Sequence, residues 1–81
     1  MLNIAFIAQD YKSGKMYLEA KFKDKIEKIN LVKRTYTLKN GDVIHLIYDS
    51  PDSVKSYDFD AYLISANYET LENVVKYRCM R

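Results

Sequence analysis

The feature that most constrains this chain is a dipeptide, Asn40-Gly41, set between two apolar runs. Leu31 to Leu38 (LVKRTYTL) and Val43 to Tyr48 (VIHLIY) are rich in β-branched and aromatic residues, and Lys39-Asn40-Gly41-Asp42 joins them. Asn-Gly in that setting is the strongest short-range hairpin signal, because the tight hairpin turn needs positive φ at both central positions. Two strands joined by this turn are therefore the first expectation. Val43, Ile44, Leu46 and Ile47 leave little room for a wet face, so His45 and Tyr48 should be only partly exposed.

The other elements are read around that hairpin. Residues 2–8 (LNIAFIA) form a nearly continuous apolar run, the pattern of a strand covered on both faces as in a parallel sheet. Gln9 to Lys15 reads as a loop. Residues 15–29 fit two periods. Met16, Leu18, Ala20 and Phe22 alternate with polar residues as in a half-buried strand, while Leu18, Phe22, Ile26 and Ile29 recur at helical spacing. Lys15 to Lys25 contains no β-branched residue, and Glu19/Lys23 and Asp24/Lys28 are acid-before-base pairs four apart. Those two facts favour a helix over 15–29; a strand there would instead open the chain with a hairpin turned at Ser13-Gly14.

Asp49-Ser50-Pro51 has the form of a helix start, with a capping side chain before a proline, and predicts a short helix over Pro51–Ser56. Asp60 to Ala66 (DAYLISA) reads as a further strand. Asn67 then caps a final helix, with Leu71, Val74, Val75, Arg78 and Cys79 on one stripe. The expected architecture is one α+β domain over residues 1–81, ordered β-α-β-β-(α)-β-α. It would have a four-stranded mixed sheet, the hairpin at its edge, and two main helices.

Composition limits what such a domain can do. Eighty-one residues hold one core. A net charge of +2, from 13 basic and 11 acidic residues, is too balanced to argue nucleic-acid binding on its own. No apolar run approaches the roughly 18 residues of a membrane span, and the first ten residues lack the pattern of a signal peptide. A single cysteine cannot form an internal disulfide and points to a reducing, cytoplasmic setting. The bias to Lys, Ile, Asn and Tyr is that of AT-rich coding, bacterial or phage.

From residue 37 to 65, TLKNGDVIHLIYDSPDSVKSYDFDAYLIS, the chain resembles P-loop ATPases of the phage large-terminase and helicase kind. In that family a comparable hairpin precedes the strand that carries the acidic Walker B residues. The resemblance extends to the segment after the first strand, where Gly14 and Lys15 match the end of the phosphate-binding loop and imply a phosphate site. Gln9 stands where the loop's first glycine would be, and Met16 replaces the hydroxyl that holds Mg²⁺. Ser65-Ala66 replaces the acidic pair at the end of the strand, so the electrostatic parts of phosphoryl transfer are missing. The resemblance thus implies nucleotide or phosphate binding by Gly14 and Lys15 without hydrolysis.

Other chemistry-bearing residues are sparse. His45 is the only histidine and Cys79 the only cysteine, and each reads as a packed side chain with no second ligand or triad partner. Asp49, Asp52, Asp58 and Asp60 cluster, but their spacing matches no calcium loop. Eight tyrosines are the least ordinary feature, and Tyr11, Tyr17, Tyr57, Tyr68 and Tyr77 fall at loop or helix positions. Tyrosine supplies a stiff contact surface with a polar tip and is enriched at interfaces. Beside Lys12, Lys15, Lys21 and Lys23 the same rings suit stacking on single-stranded nucleic acid. The leading expectation is a non-enzymatic protein-interaction module with no cofactor or metal, of the adaptor or inhibitor kind encoded by phages or mobile elements. The alternatives are a degenerate P-loop phosphate binder and a weak nucleic-acid binder. Homodimerisation through the hairpin edge is a further expectation, since an unpaired strand invites pairing.

Overall fold

A computed structural model describes residues 1–48, 58–64 and 69–79. Its elements run β1 (Asn3–Ile7), α1 (Tyr11–Lys21), β2 (Ile26–Asn30), β3 (Thr35–Leu38), β4 (Val43–Ile47), β5 (Ala61–Ile64) and α2 (Glu69–Arg78). The strands form one mixed sheet in the order β2-β3-β4-β1-β5. β1 runs parallel to both β4 and β5, with Ala5 beside His45 on one side and Tyr62 on the other. β2, β3 and β4 form an antiparallel meander.

The unbroken apolar run of β1 follows from this central position. Its side chains alternate between two cores. Ala5 and Ile7 join Ile47, Phe59 and Val75 of α2, whereas Phe6 and Ala8 join Leu18 of α1 with Tyr36, Leu38, Ile44 and Leu46. The two helices therefore cover opposite faces, α1 over β4 and α2 over β1 and β5. Each fully buried side chain such as Phe6, Leu18 or Ile44 contributes about 1.5–3 kcal/mol by leaving water.

The α+β class stands, but the sheet has five strands where four were expected. The extra strand is β2, which the sequence presented as the second half of a helix. Its pairing with β3 shifts register between Ile26 and Lys28, so Ile26 lies opposite Leu38 and Ile29 opposite Tyr36. That irregularity puts two residues three apart on one face, which is the spacing of a helix. The real helix starts earlier, at Tyr11 inside the segment read as a loop. Asp10 caps it in extended backbone, accepting from the Ser13 N–H at 2.7 Å and from the Ser13 hydroxyl at 3.2 Å. It ends at Lys21, and the N–H groups of Lys25 and Ile26 then donate to the Phe22 carbonyl to turn the chain into β2.

The hairpin is present, with corrections to its turn and its place. Only Gly41, at φ +96°, is left-handed there; Asn40 is not. The Gly41 N–H donates to the Leu38 carbonyl and the Leu38 N–H to the Asp42 carbonyl, so the connection is wider than the two-residue turn. Asn40 stabilises it through its side chain, whose oxygen accepts from the Asp42 N–H at 2.9 Å. Residues 31–34 form a turn and not the first half of a strand, with Arg34 at φ +57° and the Asn30 side chain accepting from the Lys33 N–H. The hairpin does not form an edge: β2 covers β3, and β1 covers β4. Among the described residues, the edges are β2 and β5. The helix read over Pro51–Ser56 and the cap read at Asn67 lie outside the described residues.

Candidate interaction surface

The residues expected to bind phosphate sit one turn inside α1. Gly14 is its fourth residue, is buried, and donates its N–H to the Asp10 carbonyl at 3.0 Å as an ordinary helical bond. A Cβ on Gly14 would stand 2.5 Å from Leu46 Cδ1 and 2.6 Å from the Ala8 Cβ. This glycine therefore lets the helix lie close on β1 and β4. Lys15 bonds Glu19 at 2.7 Å, and that bond raises its pKa above the usual lysine value. The Asp10 carboxylate already occupies the helix N-terminus, where an anion would sit.

The lysines named for nucleic acid are exposed but dispersed. Lys12 and Lys21 are nine residues apart on α1, which at 3.6 residues per turn places them about 180° apart around its axis. Lys21 is engaged with Tyr17, its ammonium 3.0 Å from the phenolic oxygen and 5.4 Å from the ring centre. Lys23 lies past the helix end, in a groove of about 400 Å³ lined by Glu19, Lys23, Ile26, Glu27, Lys28 and Ile29. Two acids and two bases there favour neither sign of ligand.

His45 is buried, with Nε2 3.1 Å from Asn3 Oδ1 and its ring edge-on to Phe59. Burial holds its pKa below the ordinary histidine value. Cys79 is half-buried against the α2-side core; burial, and then the charge of Asp60, push its thiol pKa up and keep it protonated. Neither residue has the exposed, activated character of a nucleophile or base. Asp58 is exposed, and Asp60 accepts from the Asn3 N–H at 2.9 Å. No group of three metal-ligating side chains assembles among the described residues. Asp49 and Asp52 lie outside them.

Among the described residues, the named tyrosines do not form one surface. Tyr11 is half-buried, its ring 5.3 Å from that of Tyr48, over which the Arg34 guanidinium sits at 4.9 Å. Tyr77 is 77% exposed on α2, across the sheet from Tyr17 on α1. Tyr57 and Tyr68 lie outside the described residues. Tyr17 joins a larger apolar area. Its ring stacks at 5.1 Å on Phe6, and Phe6 is the sheet neighbour of Leu63 on β5, which is 43% exposed. Ala61 is exposed on the same face, two residues along the strand, and Ile64 is 40% exposed on the other.

These side chains flank an edge whose backbone faces outward. The Val43 N–H donates to the Leu2 carbonyl and the Ala8 N–H to the Ile47 carbonyl, so the even-numbered residues of β1 bond β4, and Asn3, Ala5 and Ile7 face β5. With Ala5 beside Tyr62 and Phe6 beside Leu63, those three residues bond Ala61 and Leu63, and Tyr62 between them directs its N–H and C=O away from the sheet. The two edges differ sharply in defence. β2 (IEKIN) carries Glu27 and Lys28 and the register shift, all devices that discourage pairing. β5 (AYLI) has no charge, no proline and no shift against β1. The sequence displayed these four letters plainly; what it could not display is that the strand lies at an edge.

Compared with protein-family models, curated proteins and solved structures, the chain matches none. Among the described residues no helix is long and apolar enough to cross a membrane.

Proposed function

We propose that this protein is a non-enzymatic interaction module that binds other protein through the β5 edge and the apolar shelf of Tyr17, Ala61 and Leu63 beside it. The single observation that supports this reading most is the contrast between the two edges, one charged and irregular, the other uncharged and regular. Exposed strand edges flanked by apolar side chains bind extended segments: main-chain hydrogen bonds give affinity and alternate side chains give selectivity. The tyrosine reading narrows to Tyr17. A single free thiol suits the cytoplasm, and a phage or mobile-element origin fits the composition.

The experiment is comparative capture. Wild-type protein retains a partner that Leu63→Lys and Tyr17→Ala lose, and the partner is then reconstituted from purified components. Equal recovery on wild type and both variants refutes the reading.

A second reading, phosphate binding by Gly14 and Lys15, has one observation in its favour. α1 follows the central parallel strand, and sheets of this kind bind ligands at the carboxyl ends of their strands. Against it stand the helical bond made by Gly14, the Lys15–Glu19 pair and the Asp10 cap. A melt with Mg-ATP beside Lys15→Ala separates the two readings, since only a phosphate binder gains stability that the variant loses.

A further inference from the structure

We infer that the β5 edge is an interface between two copies of this chain, joined by antiparallel pairing of β5 with β5 about a two-fold axis through Tyr62. This deepens the proposed function and rests on it.

Tyr62 presents one outward N–H and one outward C=O on the β5 edge. Antiparallel pairing of Tyr62 with Tyr62 of a second copy exchanges both bonds and sets Ala61 of each copy opposite Leu63 of the other. The edge is therefore complementary to itself, as a two-fold contact requires. The side chains agree with that register. Ala61 and Leu63 share a face, so the larger residue of one copy lies beside the smaller residue of the other. Tyr17, Leu63 and their symmetry mates then form one continuous apolar strip across the junction. Charge decides between the two directions of pairing. Antiparallel pairing sets Asp60 opposite Ile64 of the second copy, whereas an in-register parallel pairing about a two-fold axis sets Asp60 beside Asp60. Like charges facing across strands are destabilising. β2 offers no equivalent, because Glu27, Lys28 and the register shift interrupt its outer side.

A four-residue strand and its shelf form a contact well below the roughly 800 Å² per partner of stable interfaces, so the dimer is weak and concentration-dependent. Sedimentation of the full chain over a rising concentration series should show its mass moving from 9.6 kDa towards twice that value, and Leu63→Lys should hold it at 9.6 kDa. Register is tested in a Cys79→Ser background by oxidising Ala61→Cys and Leu63→Cys proteins separately and mixed. Crosslinked dimer in the mixture alone supports the antiparallel register. Crosslinking of Ala61→Cys with itself overturns it. Wild type that stays monomeric throughout overturns self-pairing; if Leu63→Lys then still loses a captured partner, the edge serves a foreign strand and the broader reading stands. Circular dichroism confirms that each variant is folded before it is scored.

Discussion

Adding one methyl group at Gly14 tests how closely α1 lies on the sheet. A glycine inside a helix costs about 1 kcal/mol relative to alanine, so Gly14→Ala at an open position would stabilise the protein by that amount. The new Cβ would instead meet Leu46 Cδ1 at 2.5 Å and the Ala8 Cβ at 2.6 Å. Leu46 is 2% exposed and can yield little, while the Ala8 Cβ is fixed to the backbone of the chain leaving β1. Overpacking a tight core costs roughly 1–3 kcal/mol, which exceeds the helical gain over most of that range. The net expectation is a loss of about 1 kcal/mol, or about 4–8 °C in melting temperature for a domain of this size. Chemical denaturation gives the value directly. Ala8→Gly removes one of the two obstructing atoms, so the double variant should lose less than the sum of the two single ones. A Gly14→Ala protein that melts higher than wild type would refute the close approach and reopen the glycine to other roles.

Three further outcomes follow from buried or strained groups. The Tyr36 hydroxyl is buried with no partner among the described residues, and burial pushes its pKa up to about 12. Tyr36→Phe should therefore stabilise the protein by about 1 kcal/mol, and its phenolate absorbance should appear later than that of the other tyrosines; a destabilised variant would contradict this. His45 has its pKa lowered in the folded state, so the unfolded chain takes up the proton first and stability falls as pH drops below 6.5. Denaturation at pH 7.5 and pH 5 should show a smaller difference in His45→Asn than in wild type, and equal differences would reject the assignment. Arg34 pairs a left-handed φ of +57° with its ring contact to Tyr48. Glycine there exchanges about 1 kcal/mol of backbone relief for a similar lost contact, whereas Arg34→Val loses on both counts and should unfold first on heating.

Much of this fold was legible because its signals are local. The apolar run at residues 2–8, the Asn40-Gly41 hairpin and the strand at 60–66 all appear within a few residues of where they were read. The first helix was displaced because Asp10 caps it through Ser13, an Asp-x-x-Ser pattern that sits in a stretch resembling a loop. β2 was hidden by its irregular pairing, which gives Ile26 and Ile29 the spacing of a helix while they serve a strand. The candidate surface was less legible than the fold. Tyr17 stands out in the sequence by its loop or helix position, but the residues that give it neighbours, Ala61 and Leu63, sit more than 40 positions away and become an edge only through the order of the strands. Gly14-Lys15 shows the opposite case, a short motif whose glycine is explained by two side chains of the sheet layer, Leu46 on β4 and Ala8 just past β1.

The central place of β1 has a consequence for how the protein folds. Residues 3–7 find their sheet neighbours only at residues 43–47 and 61–64, so the heart of the sheet depends on the most distant contacts in the chain. The meander of residues 26–47 needs only short loops and can close early; β1 must then be threaded between β4 and a strand that follows far later in synthesis. Lesions in the meander should accordingly slow folding, while lesions where β1 meets β5 should chiefly quicken unfolding. Of the five strands, the one earliest in sequence is the last to be enclosed.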